Sequence, residues 1–287
     1  SSTSRGLGDV YKRQVLYHGY QQLSGRVFVR ASNPFEAVLL EGHTAVALFM
    51  VLSAFIFTYG ALDHGVQYRP FMRNRLLRIM PMYLLVVFLA MYTSPGGYSL
   101  SGIVQLFTLQ GTPPIATADL GAFGALLWTI SVEFAFYLIF PFLLRFLQQY
   151  GPRYLIAAVV MMNVLRLLSS AVHHEAIRDL AYWTIVGRID QFLIGMLIGW
   201  VVVRHRPRLG AVWGWVAVAA AALAVGVALN VFNRNGSWYS TARWKAIWPT
   251  AEGLVWGAFV LAYLIASAHL PKRWACLLYT SPSPRDV

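Results

Sequence analysis

Long apolar runs alternate with short polar connections along the whole chain, and the runs are too long and too uniform for the half-polar helices of a soluble domain. About 20 consecutive apolar residues cross the hydrocarbon layer as one helix. Runs of that kind at Ala37–Ala61, Ile79–Thr93, Leu120–Leu147, Tyr154–Val172, Leu180–Val203, Ala211–Phe232 and Ile247–Ala268 predict membrane spans. An apolar stub at Val15–Leu23 reads as the end of a further, truncated helix. Leu100–Leu109 is too short to cross and reads as re-entrant, within a Gly/Pro-rich loop at Ser94–Pro114. No internal repeat is visible. The expected fold is all-α, a polytopic transmembrane helix bundle with about eight spans or part-spans.

Composition agrees: 58% of the 287 residues are hydrophobic and 12% are charged, where a soluble domain carries about 25% charged residues. The net charge of +12 would suit nucleic acid in a soluble chain. Here it fits cytoplasmic loops rich in Lys and Arg, and no nucleic-acid partner is expected. One set of alternate loops holds eleven basic residues: Arg69, Arg73, Arg75, Arg78, Arg145, Arg153, Arg204, Arg206, Arg208, Lys272 and Arg273. The other set holds six: Arg26, Arg30, Arg178, Arg234, Arg243 and Lys245. The first set is predicted to be cytoplasmic, provided Leu100–Leu109 does not cross.

The two ends do not read as protein. Ser4–Gln14 is SRGLGDVYKRQ and Cys276–Asp286 is CLLYTSPSPRD. With suitable codons, the reverse complement of the second, shifted by one base, translates as the first. Both resemble a translated transposon-type sequencing adapter. Residues 1–14 and 276–287 are therefore set aside, leaving 15–275 as one incomplete membrane domain. The single cysteine, Cys276, falls in the excluded end, so no disulfide, cysteine nucleophile or thiolate metal site is expected.

Ionisable groups inside apolar spans cost several kcal/mol, and each is a candidate for function. His18, in VLYHGY, suits a helix-end anchor or a general base. Arg75 and Arg78, in RNRLLRIMP, share a helix face and suit either a phosphate clamp or positive-inside anchoring. Pro81 follows closely and is expected in the first turn of a span. Glu133, deep in LLWTISVEFAFYLIFPFLL, needs a proton or a partner. It suits orientation of a catalytic side chain or a structural ion pair. Arg188 and Asp190, in VGRIDQFLIGM, suit a polar cluster lining a cavity, though two residues apart they do not face each other. His43 suits an acceptor entrance or a satisfied helix end. Arg166 and Glu252 also lie in or near spans, with no role assigned. His173, His174, Glu175 and Asp179 read as an aqueous loop, with no metal-site spacing.

These residues form an ordered pattern. GHTAVALFMVLSAFIF resembles the glycine–valine–phenylalanine–leucine–serine–glycine–phenylalanine helix of the membrane acyltransferase-3 family. RNRLLRIMPMY resembles its arginine-x-x-arginine motif, carried to Arg75 and Arg78. LWTISVEFAFYLIFPFLL resembles its tryptophan–serine–x–serine–valine–glutamate helix, carried to Trp128, Ser131, Glu133, Phe136, Tyr137 and Pro141. VLYHGY ends like the family's first helix, carried to His18, and RIDQFLIGM resembles a later helix entrance. Ala54 stands where the family has glycine, Met50 where it often has phenylalanine, and Phe134 replaces a frequent polar residue. The family's closing helix is expected beyond Ala275.

The resemblance implies an O-acyltransferase of the bacterial-type inner membrane. Its donor would be acyl-CoA, often acetyl-CoA, used as substrate with no bound cofactor, and its acceptor a surface or lipid-linked glycan. His18 and Glu133 would be catalytic, and Arg75 and Arg78 would bind the donor. His43, Ser131, Tyr137, Arg188 and Asp190 would line the substrate path. The competing class is a transporter or flippase without covalent chemistry, which buried charges also suit. It would be expected to show broken helices in repeated halves.

Overall fold

The computed structural model describes residues 30–93, 103–105, 109, 121–173 and 176–269. The stub at Val15–Leu23 with His18, and both adapter-like ends, lie outside the described residues. So does most of Leu100–Leu109, of which 103–105 are helical.

The described chain is helical and, among the described residues, contains no strand. In order come α1 (Pro34–Leu40), a 3-10 turn (Gly42–Thr44), α2 (Ala45–Ala61), α3 (Tyr68–Thr93), α4 (Gly121–Tyr150), α5 (Pro152–Val172), α6 (Ile177–Trp183), α7 (Ile185–His205), α8 (Ala211–Arg234) and α9 (Trp248–Ser267). Seven of these, α2 with its preceding turn, α3, α4, α5, α7, α8 and α9, are long and apolar enough to cross a membrane. Together they make an all-α polytopic bundle.

Local chemistry sets the breaks. Asn33 accepts the amide of Glu36 at 2.9 Å and Pro34 opens α1. Thr184 accepts the amide of Gly187 at 3.2 Å and divides the run expected at Leu180–Val203 into α6 and α7. Between α4 and α5 a single residue, Gly151, reverses the chain with φ of 75°, and Pro152 starts the next helix.

Two expectations are corrected. The run Ala37–Ala61 is not one helix. It breaks at Glu41, whose carboxylate is held by Asn233 and Ser237 from other parts of the chain. Pro81 is not in a first turn. α3 begins at Tyr68, because the arginine-bearing segment before Ile79 continues the helix. Pro81 therefore sits mid-helix and offers no N–H to the carbonyl of Leu77.

Contacts between turns sort the ends of the bundle. The Leu62 carbonyl accepts Gln148 at 2.7 Å, Asp63 pairs with Arg204 at 3.1 Å, and the His269 ring meets the Leu209 carbonyl at 2.6 Å. The turns after α2, α4, α7 and α9 thus share one end, which carries the richer set of basic residues. At the far end Asn233 binds Glu41, Thr44 binds Glu252, and Arg166 binds the Ala246 carbonyl.

α7 and α2 are the centre: 67% and 61% of their spans are buried, against 17% for α3 and for α5. α5 turns Ile156, Val160, Val164 and Leu168 outward at a four-residue spacing, a stripe suited to lipid. The central pair packs closely because α7 is notched. A Cβ at Gly195 would stand 2.2 Å from the Val51 carbonyl oxygen, and one at Gly199 would stand 2.8 Å from the Thr58 Cβ. Small residues at this spacing let membrane helices approach backbone to backbone. Ala54, the alanine at a position expected to be glycine, faces Gly195, so the room is supplied from α7.

Gly195→Leu should therefore push α2 and α7 apart and cost about 3 kcal/mol or more. Gly210→Leu, with its nearest neighbour at 4.0 Å, should be tolerated. Thermal midpoints and monodisperse yield in detergent compare the two. Equal behaviour would mean that the α2–α7 contact does not depend on the notch.

Candidate functional site

Polar side chains gather at two depths. Toward the arginine-rich end, α3 brings Arg75 against the aromatic rings of Phe57, Phe71 and Tyr137, with the guanidinium carbon 4.3, 5.5 and 6.0 Å from their centroids. Phe57 and Phe71 meet edge to face at 5.7 Å. On α4, Tyr137 lies one turn beyond Glu133 and donates its hydroxyl hydrogen bond to that carboxylate. The structure thus brings Arg75, Glu133 and Tyr137 together, with Arg78 one turn along α3 from Arg75. Arg75 is half-buried and Arg78 is exposed, so the two do not share one environment. Pro141, four residues past Tyr137, offers no N–H to the Tyr137 carbonyl and leaves that acceptor available.

Ser131 is buried two residues before Glu133, its hydroxyl 3.4 Å from the Leu127 carbonyl. Trp128 stands nearer the far end, packed on Tyr182 and Trp183 at 5.2 and 5.1 Å.

At the far end, Arg188 and Asp190 project from α7 into separate ion pairs. Arg188 binds Glu252 of α9 at 3.0 Å and lies 4.5 Å over the Tyr182 ring. Glu252 also accepts Gln191 at 2.9 Å and Thr44 at 2.7 Å, and Trp256 donates to Thr44 at 2.8 Å. Asp190 binds Arg166 of α5 at 2.5 Å, with Thr250 and Asn163 closing the cluster. Arg166 is fully buried, its remaining donors on the carbonyls of Ala246 at 2.7 Å and Val186 at 2.9 Å. Arg166 and Glu252, which had no role from sequence, are the partners that make Asp190 and Arg188 tolerable. Charge balance within the apolar spans was the available signal. Asp190 is sealed inside this cluster, whereas Arg188 faces a cleft.

That cleft is lined by His43, Arg178, Tyr182, Arg188, Phe232, Lys245, Trp248 and Glu252, among others. His43 places Nδ1 3.3 Å from Glu41, and its ring packs on Tyr182 and Phe232. Glu41 in turn accepts Asn233 at 2.7 Å and Ser237 at 2.9 Å. Lys245 was missed because it lies in a polar stretch that reads as a solvated connection, whereas Glu41 lies inside the run expected at Ala37–Ala61, where a charge in an apolar run was the available signal. His18 lies outside the described residues.

Helix α4 joins the two depths. Glu133 is five residues beyond Trp128 and Tyr137 nine, about 8 and 14 Å along the axis. Along α2, Thr44 and Phe57 are separated by about 20 Å.

Seven apolar helices around compensated buried charges define a multi-pass membrane protein with a polar interior. The chain belongs to the acyltransferase-3 family: the family's acyltransferase domain matches residues 15–281. It is 35% identical over 121 residues to the acyltransferase MdmB of Streptomyces mycarofaciens, covering 39% of this chain and 31% of that protein. It is 27% identical over 259 residues to the putative membrane-bound transacylase BcsY of Komagataeibacter xylinus, covering 84% of this chain and 62% of that protein. The chain thus spans less than two thirds of the length of either relative. No solved structure matches.

Two predictions follow from the far end. Arg166→Met strands the Asp190 carboxylate and should cost about 3 to 5 kcal/mol, much of it recovered by adding Asp190→Leu. Thermal midpoints of the single and double variants decide it, and a double variant no better than the single would mean that the pair is not an isolated unit.

The second concerns pH. Burial pushes the Glu41 carboxyl up from 4.5 to about 7, against the hydrogen bonds of Asn233 and Ser237 and the charge of Lys245. Burial also pushes the Lys245 ammonium down from 10.5 to about 7. Between pH 4.5 and 7 the folded chain keeps a proton on Glu41 that the unfolded chain has lost, so stability falls as pH rises. Between pH 7 and 10.5 the unfolded chain keeps a proton on Lys245 that the folded chain has lost, so stability recovers. Glu41→Gln should flatten the first limb and Lys245→Met the second, each by a few kcal/mol at most. A midpoint that is flat with pH in the parent protein contradicts this.

Proposed function

We propose that the protein transfers an acyl group, most simply acetyl, from acyl-CoA to a hydroxyl of a surface or lipid-linked glycan, within the bacterial-type inner membrane. The observation that carries this reading is the cluster of Arg75, Arg78, Glu133 and Tyr137 at the arginine-rich end of a bundle of this family. The positive-inside bias puts that end in the cytoplasm, where the polyanionic donor is found.

Arg75 and Arg78 bind donor phosphates by charge-assisted hydrogen bonds. The rings of Phe57 and Phe71 pack on Arg75 and set the position of its guanidinium. The thioester arm then runs inward along α4, past Tyr137 and Ser131. His18 takes the proton of the acceptor hydroxyl, whose oxygen attacks the thioester carbonyl. The carbon–sulfur bond breaks, and the departing thiolate recovers the proton, giving an ester and free CoA. Glu133, held by Tyr137, orients the catalytic side chain. His43 and Arg188 face the acceptor, and Asp190 acts behind them by fixing α5 and α9 against α7.

BcsY is described as a transacylase and MdmB as an acyltransferase, which supports a covalent transfer over simple transport.

Membranes holding the protein, supplied with acetyl-CoA labelled in the acetyl group, should pass label into lipid-linked or glycan fractions. Arg75→Ala should raise the KM for acetyl-CoA about tenfold or more. His18→Ala should lower turnover by about a hundredfold or more. Label transfer that persists in His18→Ala would remove His18 from the chemistry. An unchanged donor KM in Arg75→Ala would reduce that arginine to a topology anchor.

A further inference from the structure

Between Glu133 and Glu175 the sequence contains no carboxylate, yet it carries Arg145, Arg153 and Arg166. Arg166 is answered by Asp190 of α7. Arg145 and Arg153 are exposed, and among the described residues neither has a hydrogen bond, an ion pair or a ring contact. Asp63, the carboxylate of the α2–α3 turn at the same end, is engaged by Arg204 at 3.1 Å.

Arg145 also lies deep for a charge with no counterpart. It stands six residues before Gly151, about 9 Å along α4 from the turn. It shares the outward face of α4 with Phe142 and Phe146, both exposed. A guanidinium on a lipid-facing surface is costly unless it reaches an anion or bends toward the headgroups. The headgroup phosphates of the bilayer are the anions within that reach.

The surface around the two arginines is built of rings. Phe146 stacks on Tyr150 at 6.0 Å and, across the turn, meets Tyr154 of α5 at 5.2 Å. Phe142 meets Tyr68 of α3 at 5.8 Å. Phe142, Phe146 and Tyr150 follow one another at a four-residue spacing, so the purely apolar rings lie inward and the hydroxyl-bearing ring lies outermost. That order matches the passage from hydrocarbon to headgroup. Arg145 and Arg153 each precede one of two touching rings, Phe146 and Tyr154, so a single ring contact joins them across the turn. Beyond Tyr154 the exposed Ile156 and Val160 continue the apolar surface along α5.

We propose that the α4–α5 turn binds one anionic phospholipid, its phosphate held by Arg145 and Arg153 and its acyl chains lying along Phe142, Phe146 and the α5 stripe. Net charge selects the headgroup. Two cations with no carboxylate beside them favour a lipid whose only charge is its phosphate, such as phosphatidylglycerol. The ammonium of a zwitterionic lipid finds no partner there and meets like charges instead. The positive-inside bias puts the site in the cytoplasmic leaflet. The inference is independent of the acyl-transfer reading.

The test is lipid binding by the purified full chain in mild detergent. The chain is titrated with phosphatidylglycerol and, separately, with phosphatidylcholine of the same acyl chains, and bound lipid is counted by native mass spectrometry. Phosphatidylglycerol should bind about tenfold or more tightly than phosphatidylcholine. Arg145→Gln combined with Arg153→Gln should remove that preference. Arg206→Gln combined with Arg208→Gln takes the same charge from the α7–α8 connection at the same end and should leave the preference intact. All four side chains are exposed, and thermal midpoints without added lipid confirm that both double variants fold. Glycerol 3-phosphate, the headgroup phosphate without its chains, should not displace the bound lipid. The proposal is overturned if the two lipids bind alike, or if the two double variants lose the preference equally, which would reduce Arg145 and Arg153 to general loop charge. It is also overturned if glycerol 3-phosphate competes as well as the lipid, which would make the turn a site for soluble phosphates.

Discussion

A charge withdrawn from water inside a lipid-facing bundle must find its opposite, and this constraint organises the molecule around α7. Arg188 and Asp190 lie on that helix, and neither finds its partner there. Each reaches a different neighbour: Arg188 meets Glu252 on α9, and Asp190 meets Arg166 on α5. The two pairs therefore act as cross-braces. Thr250 and Asn163 extend one brace, and Thr44, Gln191 and Trp256 extend the other to α2. An apolar replacement of equal volume often matches a buried ion pair in energy, but it does not specify which helix meets which. Directional polar contacts supply the register that lipid-soluble side chains, equally content against lipid or protein, do not.

The braces work because the helices they join can come close. Gly195 and Gly199 bring α7 onto α2 near the middle of the bundle, and Gly253 and Gly257 bring α9 onto Ile194 of α7. Close backbones place short side chains such as Asp190 and Thr250 within hydrogen-bond reach. Toward the arginine-rich end the packing changes in kind. Phe57, Phe71, Tyr137 and Phe140 form a bulky aromatic layer, and Phe136 stacks on Phe192 at 4.0 Å. This layer packs ring faces on Arg75.

The spans were legible because hydropathy over some twenty residues is a strong signal. Only their interruptions were hidden. The break at Glu41 and the cap at Thr184 depend on single side chains whose partners are distant in sequence, Asn233 and Ser237 in the first case. The start of α3 was hidden for another reason: arginines lower hydropathy without lowering helix propensity. In the site, Glu133, Arg75 and Arg78 could be named in advance because charged residues in or beside apolar runs stand out, and Tyr137 only through the family motif. That Arg188 and Asp190 belong to different pairs was half legible, since a two-residue spacing puts them on different faces of a helix. Lys245 was not legible at all. It sits in GSWYSTARWK, where a lysine looks solvated, and only the fold shows that Phe232 and Trp244 bury it.

Aromatic contacts also set the spacing between the two polar depths. Trp128 touches Tyr182, and Tyr182 in turn underlies Arg188 and flanks His43. The aromatic wall of the cleft therefore abuts the helix that carries Glu133 and Tyr137 one to three turns deeper. Between the two depths the stacked rings of Phe136 and Phe192 pack α4 on α7. The distance from the cleft to the arginine cage is thus set by packed rings along one helix and not by a connecting loop.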